Sequence, residues 1–304
     1  MKGKSAPKPD YLRPVSPTEE EILKTFSVYR FMTAEDVAAC LFSPASLTHV
    51  RSILTRLAGG ADFKERECLY RFPLASGKAG NPQRVFTLGS AGREVVMSLG
   101  LPAEWYYRPS KTRRLQSSYL NHQLLLTRFV VCACRFARQH QGYSLVDARL
   151  CYELEGQITK RGTETVVPDA WLHFERTDNS QRFPVLVECD RGSEYQERLK
   201  NHVKGRLEFI RSGEYERVFG TPAVIIAYAT TSDVEEHAET RRKTMCAWTM
   251  EVLRELELES WAGIFRFMSL GPYATLYEHG ETLFGAASWF RPDAPSTPVP
   301  LLES

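Results

Sequence analysis

The run Pro184-Val185-Leu186-Val187 passes directly into Glu188-Cys189-Asp190-Arg191-Gly192-Ser193-Glu194, and no other stretch constrains the chain as much. Phe183 to Cys189 reads as a buried strand, the strongest in the sequence. Side chains two apart on a strand share a face, so Glu188 and Asp190 stand together at its end. Val167-Pro168-Asp169-Ala170 puts another carboxylate, Asp169, at the mouth of the preceding apolar run. If the two strands pair, three carboxylates converge and repel one another unless a positive charge sits among them. Magnesium (or manganese) is the usual answer, since it takes hard oxygen ligands and leaves room for a substrate phosphate. A plainer reading has a strand end turning through a polar loop, its acids solvated or paired with Arg191. On spacing alone the plainer reading leads, because acids are common at strand ends.

The 304 residues are long enough for about two domains, and 43% hydrophobic with 25% charged residues can bury a sizeable core. Lys and Arg (39) nearly balance Asp and Glu (37), so a basic surface must be local. The seven cysteines include no C-x-x-C pair, which argues against a zinc ribbon or a disulfide frame and fits a reducing, cytoplasmic setting. No signal peptide and no membrane-spanning run is expected.

Residues 1–16 read as a flexible tail and 17–100 as a first domain. Helices are expected from Thr18 to Phe26, from Thr33 with Asp36 as a capping-box partner, and from Pro44 or Ser46 with Leu47, Val50, Leu54 and Leu57 at helical spacing. Strands Leu69–Phe72 and Arg84–Leu88 flank a loop holding Lys78, and a further helix opens at Gly92-Arg93. Three helices followed by a hairpin is the order of a winged helix-turn-helix. Its third helix turns Ser46, Thr48, His49, Arg51, Ser52, Thr55 and Arg56 away from the apolar stripe, side chains able to reach base edges and phosphates. Lys78 and Arg84 would form a wing over the backbone. A solvated helix face and an ordinary loop, or a winged helix that contacts proteins, are the alternatives.

Residues 101–117, with Trp105, Tyr106, Tyr107, Arg108, Lys111, Arg113 and Arg114, form an aromatic and basic linker, fit either to stack on bases or to pack on a domain surface. The second domain, 118–290, opens with a long helix from Tyr119 to Gln139 and continues through strands near 143–148, 170–175 and 183–189. A helix follows over 194–211, then a strand at 223–229, a helix to about Leu256 and a strand at 263–268. This is α/β (α+β overall), a mixed sheet flanked by helices. Residues 291–304, rich in proline, read as a loose tail.

Pro168-Asp169 on one strand and Glu188-x-Asp190 on the next resemble the restriction-endonuclease-like PD-(D/E)xK nuclease fold. With the winged helix, the motif through Glu194 and Lys204 resembles the replication-relaxation family of plasmid and mobile-element proteins over roughly residues 17–256, and His122 sits where many members carry a histidine. The resemblance implies a DNA-binding protein acting in replication, relaxation or conjugative mobilisation that nicks DNA with Mg²⁺. Asp169, Glu188 and Asp190 would then be metal ligands, and Lys204 (or Lys200) the cation that steadies charge on phosphate. The nuclease pattern has lysine where this chain has Asp190. The alternative is a non-catalytic replication initiator, relaxosome accessory or transcription regulator with a degenerate nuclease fold. Double-stranded DNA is the expected partner, with other mobilisation or replication proteins and a homodimer compatible with the same features.

Overall fold

The computed structural model describes residues 15–59, 67–74, 83–108, 116–158, 167–191, 195–232, 234–270, 276–277 and 280–303. The chain divides into two compact units, Met1–Thr127 and Arg128–Ser304.

In the first unit, α1 (Pro17–Val28) begins at a reciprocal cap. The Ser16 hydroxyl accepts from the Glu19 N–H, and Glu19 accepts from the Ser16 N–H at 2.9 Å. Helix α2 (Ala34–Leu41) repeats the device with Thr33 and Asp36, as the sequence spacing leads one to expect. A short 3-10 turn (Pro44–Ser46) leads into α3 (Leu47–Leu57), whose Val50, Ile53, Leu54 and Leu57 are buried. Strands β1 (Leu69–Leu74) and β2 (Gln83–Leu88) pair antiparallel with Leu69 opposite Leu88, and α4 (Ser90–Ser98) follows. Phe31, Leu74 and Val85 pack with Leu120 and Leu124 from the long helix α5 (Ser117–Gln139). The division between units therefore falls inside α5 rather than ahead of it. The linker aromatics pack on this unit. Trp105 lies edge-on to Phe31 and donates to the Thr87 hydroxyl at 3.2 Å, while Tyr107 stacks on Tyr70. Residues 109–115 lie outside the described residues, as do Lys78 and the rest of the hairpin loop, 75–82.

The second unit holds a seven-stranded mixed sheet in which every strand lies beside its chain neighbour. Its strands are β3 (Tyr143–Leu150), β4 (Ala170–Arg176), β5 (Arg182–Asp190), β6 (Ile225–Thr231), β7 (Phe265–Leu270), β8 (Trp289–Arg291) and β9 (Ala294–Val299). β5, β6 and β7 run parallel, and the remaining pairs are antiparallel. The short α6 (Cys151–Leu154) follows β3. Helix α7 (Gln196–Arg211), the short α8 (Glu214–Phe219) and α9 (Glu235–Glu255) provide Leu199, Val203, Leu207, Tyr215, Phe219, Met245 and Leu253. These cover one sheet face at Trp171, Leu186, Ile226, Tyr228, Phe265 and Phe267. On the opposite face, Phe136 of α5 meets Phe174, and both meet Phe284 of α10 (Gly280–Phe284). The architecture is α/β, with helices on both faces of a mixed sheet.

The expected loose tail 291–304 is corrected. Residues 294–299 form β9, and Leu301 and Leu302 are buried. Pro295 and Pro298 argue against a central strand, but β9 ends the strand order, and an edge strand tolerates residues without an N–H. At the other terminus, residues 1–14 lie outside the described residues, and Ser16 belongs to the first helix as its cap.

Candidate functional site

Glu188 and Asp190 project from β5 toward the helix-covered face, in line with Leu186. The backbone of Asp169 joins this strand through its N–H to the Val187 carbonyl at 3.1 Å, and its carboxylate accepts the Cys189 N–H at 2.8 Å. The three acids thus gather at one end of the sheet. Each is already engaged, two of them by arginine. Arg206 of α7 donates from Nε to Glu188 at 2.6 Å, forms a second close contact through Nη2, and reaches the Val167 carbonyl at 3.1 Å. Arg241 of α9 donates to Asp190 from Nε at 2.9 Å and from Nη2 at 3.5 Å, and the Thr230 hydroxyl adds a hydrogen bond at 3.1 Å. Burial pushes the Glu188 carboxyl up to about 7. Arg206 pulls it down, Asp169 adds to the rise, and His202, one turn before Arg206, opposes it.

The lysines expected here are elsewhere. Lys204 lies 2.9 Å from Glu255, and Lys200 lies 2.6 Å from Glu251, both acids on α9. Residues two apart on a helix point roughly 200° apart, so Lys204 and Arg206 cannot serve the same carboxylate. The correction is specific: the cation on Glu188 is Arg206. A sequence signal for it exists, because Arg206 follows Leu199 and Val203 at helical spacing and so falls on the apolar stripe. Arg241 likewise stands three residues after buried Ala238.

A divalent ion fits this donor set poorly. Glu188 and Asp190 are paired with guanidinium groups, buried Arg206 and half-buried Arg241, and an Mg²⁺ or Mn²⁺ placed between them would face two positive charges at short range. Among the described residues, no three His, Cys, Asp or Glu side chains are grouped so as to hold a metal. Gly192, Ser193 and Glu194 lie outside the described residues. His122 lies on the part of α5 that belongs to the first unit.

In the first unit, α3 exposes Thr48, His49, Arg51, Ser52 and Thr55 on one side, with Ser46 partly exposed at its start. Its two arginines have partners of their own. Arg51 bonds Glu35 of α2 at 2.7 Å. Arg56 bonds Glu19 through Nε at 3.0 Å and Nη2 at 2.9 Å, and that glutamate is completely buried. Arg56 thus links α3 to α1, and Arg51 links α3 to α2. Arg84 stands exposed on β2.

These features define an α/β protein in which a helical unit with a two-stranded hairpin is joined to a mixed sheet with an interior strand, β5, that ends in arginine-bound carboxylates. The chain belongs to the replication-relaxation family, whose model matches residues 23–225. That membership points to a role in plasmid or mobile-element replication or relaxation. No curated protein and no solved structure matches the chain. Among the described residues, no helix is long and apolar enough to cross a membrane.

Proposed function

We propose that the chain is a duplex-DNA-binding accessory or initiator protein of plasmid or mobile-element replication and relaxation, and that its second unit serves without metal-dependent cleavage. One observation carries the DNA reading. Helix α3 is anchored by Val50, Ile53, Leu54 and Leu57, with β1 and β2 following, and it turns an exposed row of Thr48, His49, Ser52 and Thr55 outward. That is the order of a winged helix-turn-helix, whose recognition helix enters the major groove. Hydroxyl and imidazole groups both donate and accept, as base edges require. The ion pairs Arg51–Glu35 and Arg56–Glu19 orient the helix on α2 and α1.

The non-catalytic part of the reading rests on Glu188 and Asp190 being held by Arg206 and Arg241, with Lys204 held by Glu255. Such clasps fix helices onto a sheet end. The test uses the full chain in two assays. Fluorescence anisotropy with labelled duplex should show binding that Thr48→Glu/Ser52→Glu abolishes while the fold survives, because carboxylates there would meet phosphate and base acceptors. Supercoiled plasmid incubated with Mg²⁺ should stay supercoiled. Wild-type chain that ignores duplex DNA overturns the DNA reading. Open circle that requires Asp169 and Glu188 restores the nicking reading in place of the accessory one.

A further inference from the structure

Two arginines of the first unit stand on the described strands of the hairpin. Arg71 and Arg84 are exposed, and neither has an ion pair or hydrogen bond among the described residues. Arg51 and Arg56 both have ion pairs, while Arg93 and Arg108 lie against Tyr106 and Arg93 also donates to the Ala103 carbonyl. The strand register puts the two hairpin arginines together. Arg71 is opposite Phe86 and Arg84 is opposite Pro73, so they are diagonal neighbours on one face, about 7–8 Å apart at the Cα level. The base of that face is closed by buried Leu69, Phe86 and Leu88, and only its far half, Arg71, Pro73 and Arg84, is open. Two unneutralised guanidiniums side by side repel each other, and their fork geometry matches phosphate oxygens.

We propose that Arg71 and Arg84 form the phosphate-gripping surface of the first unit, and that this hairpin face, rather than the arginines of α3, supplies most of its salt-sensitive attraction to the DNA backbone. The inference rests on the DNA-binding reading. It assigns the two elements different work: α3 contributes mainly uncharged polar groups, while the hairpin face contributes positive charge. Arg71 is the residue that pattern reading passes over, because a lone arginine between Tyr70 and Phe72 looks like the solvent side of any strand. Only the register brings it beside Arg84.

The test is a salt titration of full-length chain on a labelled random-sequence duplex. Wild type, Arg71→Ala/Arg84→Ala and Arg51→Ala are compared after thermal melts confirm that each is folded. Each lost phosphate contact removes about 0.9 from the slope of log K against log salt. The hairpin double variant should therefore have a slope shallower by about 2, with Arg51→Ala leaving it nearly unchanged, well short of the loss of about 0.9 that a full contact would give. An unchanged slope in the hairpin variant, with wild type still binding, overturns this inference alone. The same holds if Arg51→Ala causes the larger loss. Wild-type chain with no affinity for duplex overturns both this inference and the reading beneath it.

Discussion

Replacing Glu188 with alanine leaves the Arg206 guanidinium without its carboxylate in a place where water barely reaches. Arg206 is 4% exposed and Glu188's side chain 15%. The truncation deletes the Nε and Nη2 contacts and leaves the Val167 carbonyl at 3.1 Å to carry more of the charge. Breaking a buried pair from one side costs about 3–5 kcal/mol. For a unit of this size, Tm falls by about 2–4 °C per kcal/mol, so a loss of about 6–20 °C is expected. The measurement is a thermal and urea melt at about pH 8, where Glu188, whose carboxyl is pushed up to about 7, is ionised. The companion variant Glu188→Leu/Arg206→Met removes both charges. Burial outweighs Arg206's pull on this carboxyl, so the pair forms at a desolvation cost, and the double variant should recover most of the loss. A Glu188→Ala chain within about 1 kcal/mol of wild type would refute the clasp. So would a double variant worse than the single one, or an Mn²⁺-induced rise in wild-type Tm that Glu188→Gln abolishes.

Two acids should leave opposite marks on stability against pH. The folded state favours neutral Glu188, so its contribution is full below 4.5 and is lost as pH rises to about 7; Glu188→Gln should flatten that decline in urea midpoints. Glu239, hydrogen-bonded by Arg242, is lowered to about 2, so its contribution is present above 4.5 and is lost as pH falls toward 2; Glu239→Gln should remove this acid-sensitive step. Arg56→Ala leaves the buried Glu19 carboxylate without its guanidinium and should destabilise the first unit by roughly 1–3 kcal/mol, while Arg56→Lys recovers part of it; indistinguishable melts would make the bond to α1 incidental. In Gly92→Ala the new methyl group would lie 2.0 Å from the carbonyl oxygen of Cys68, the residue before β1, so α4 must shift away from it at a cost of about 1–3 kcal/mol or more, and a wild-type melt would contradict that approach.

Much of this fold can be read in the chain because local signals agree with burial. Ser16/Glu19 and Thr33/Asp36 mark helix starts by reciprocal capping, and Leu199, Val203 and Leu207 mark the inner stripe of α7. The run from Phe183 to Cys189 is an interior strand of the sheet, β5. β9 escapes notice because two prolines look like a linker until an edge position is known to receive them. The carboxylates were legible as a group, but their partners were not. Choosing Arg206 over Lys204 requires the rotation of α7 on the sheet, which a count of residues fixes only once its inward stripe is known. Arg241 is farther still, since it comes from a helix beyond the next strand. On α3 the exposed positions were legible, whereas Glu35 and Glu19 as partners of its arginines depend on how α1 and α2 cross it.

The strand order β3 through β9 has a consequence for how the second unit is made. Each strand pairs with the one synthesised just before it, so a growing chain never waits for a distant segment to complete a ladder. β4 and β5 close through a five-residue turn, 177–181, and can form as soon as both have emerged. β6 and β7 then join on the same side, each bringing helices from its connection, and the proline-bearing β9 arrives last as the terminal strand. Such a sheet can be assembled in the direction of translation, each new strand docking on the edge left by the one before it while β3 remains the opposite edge throughout.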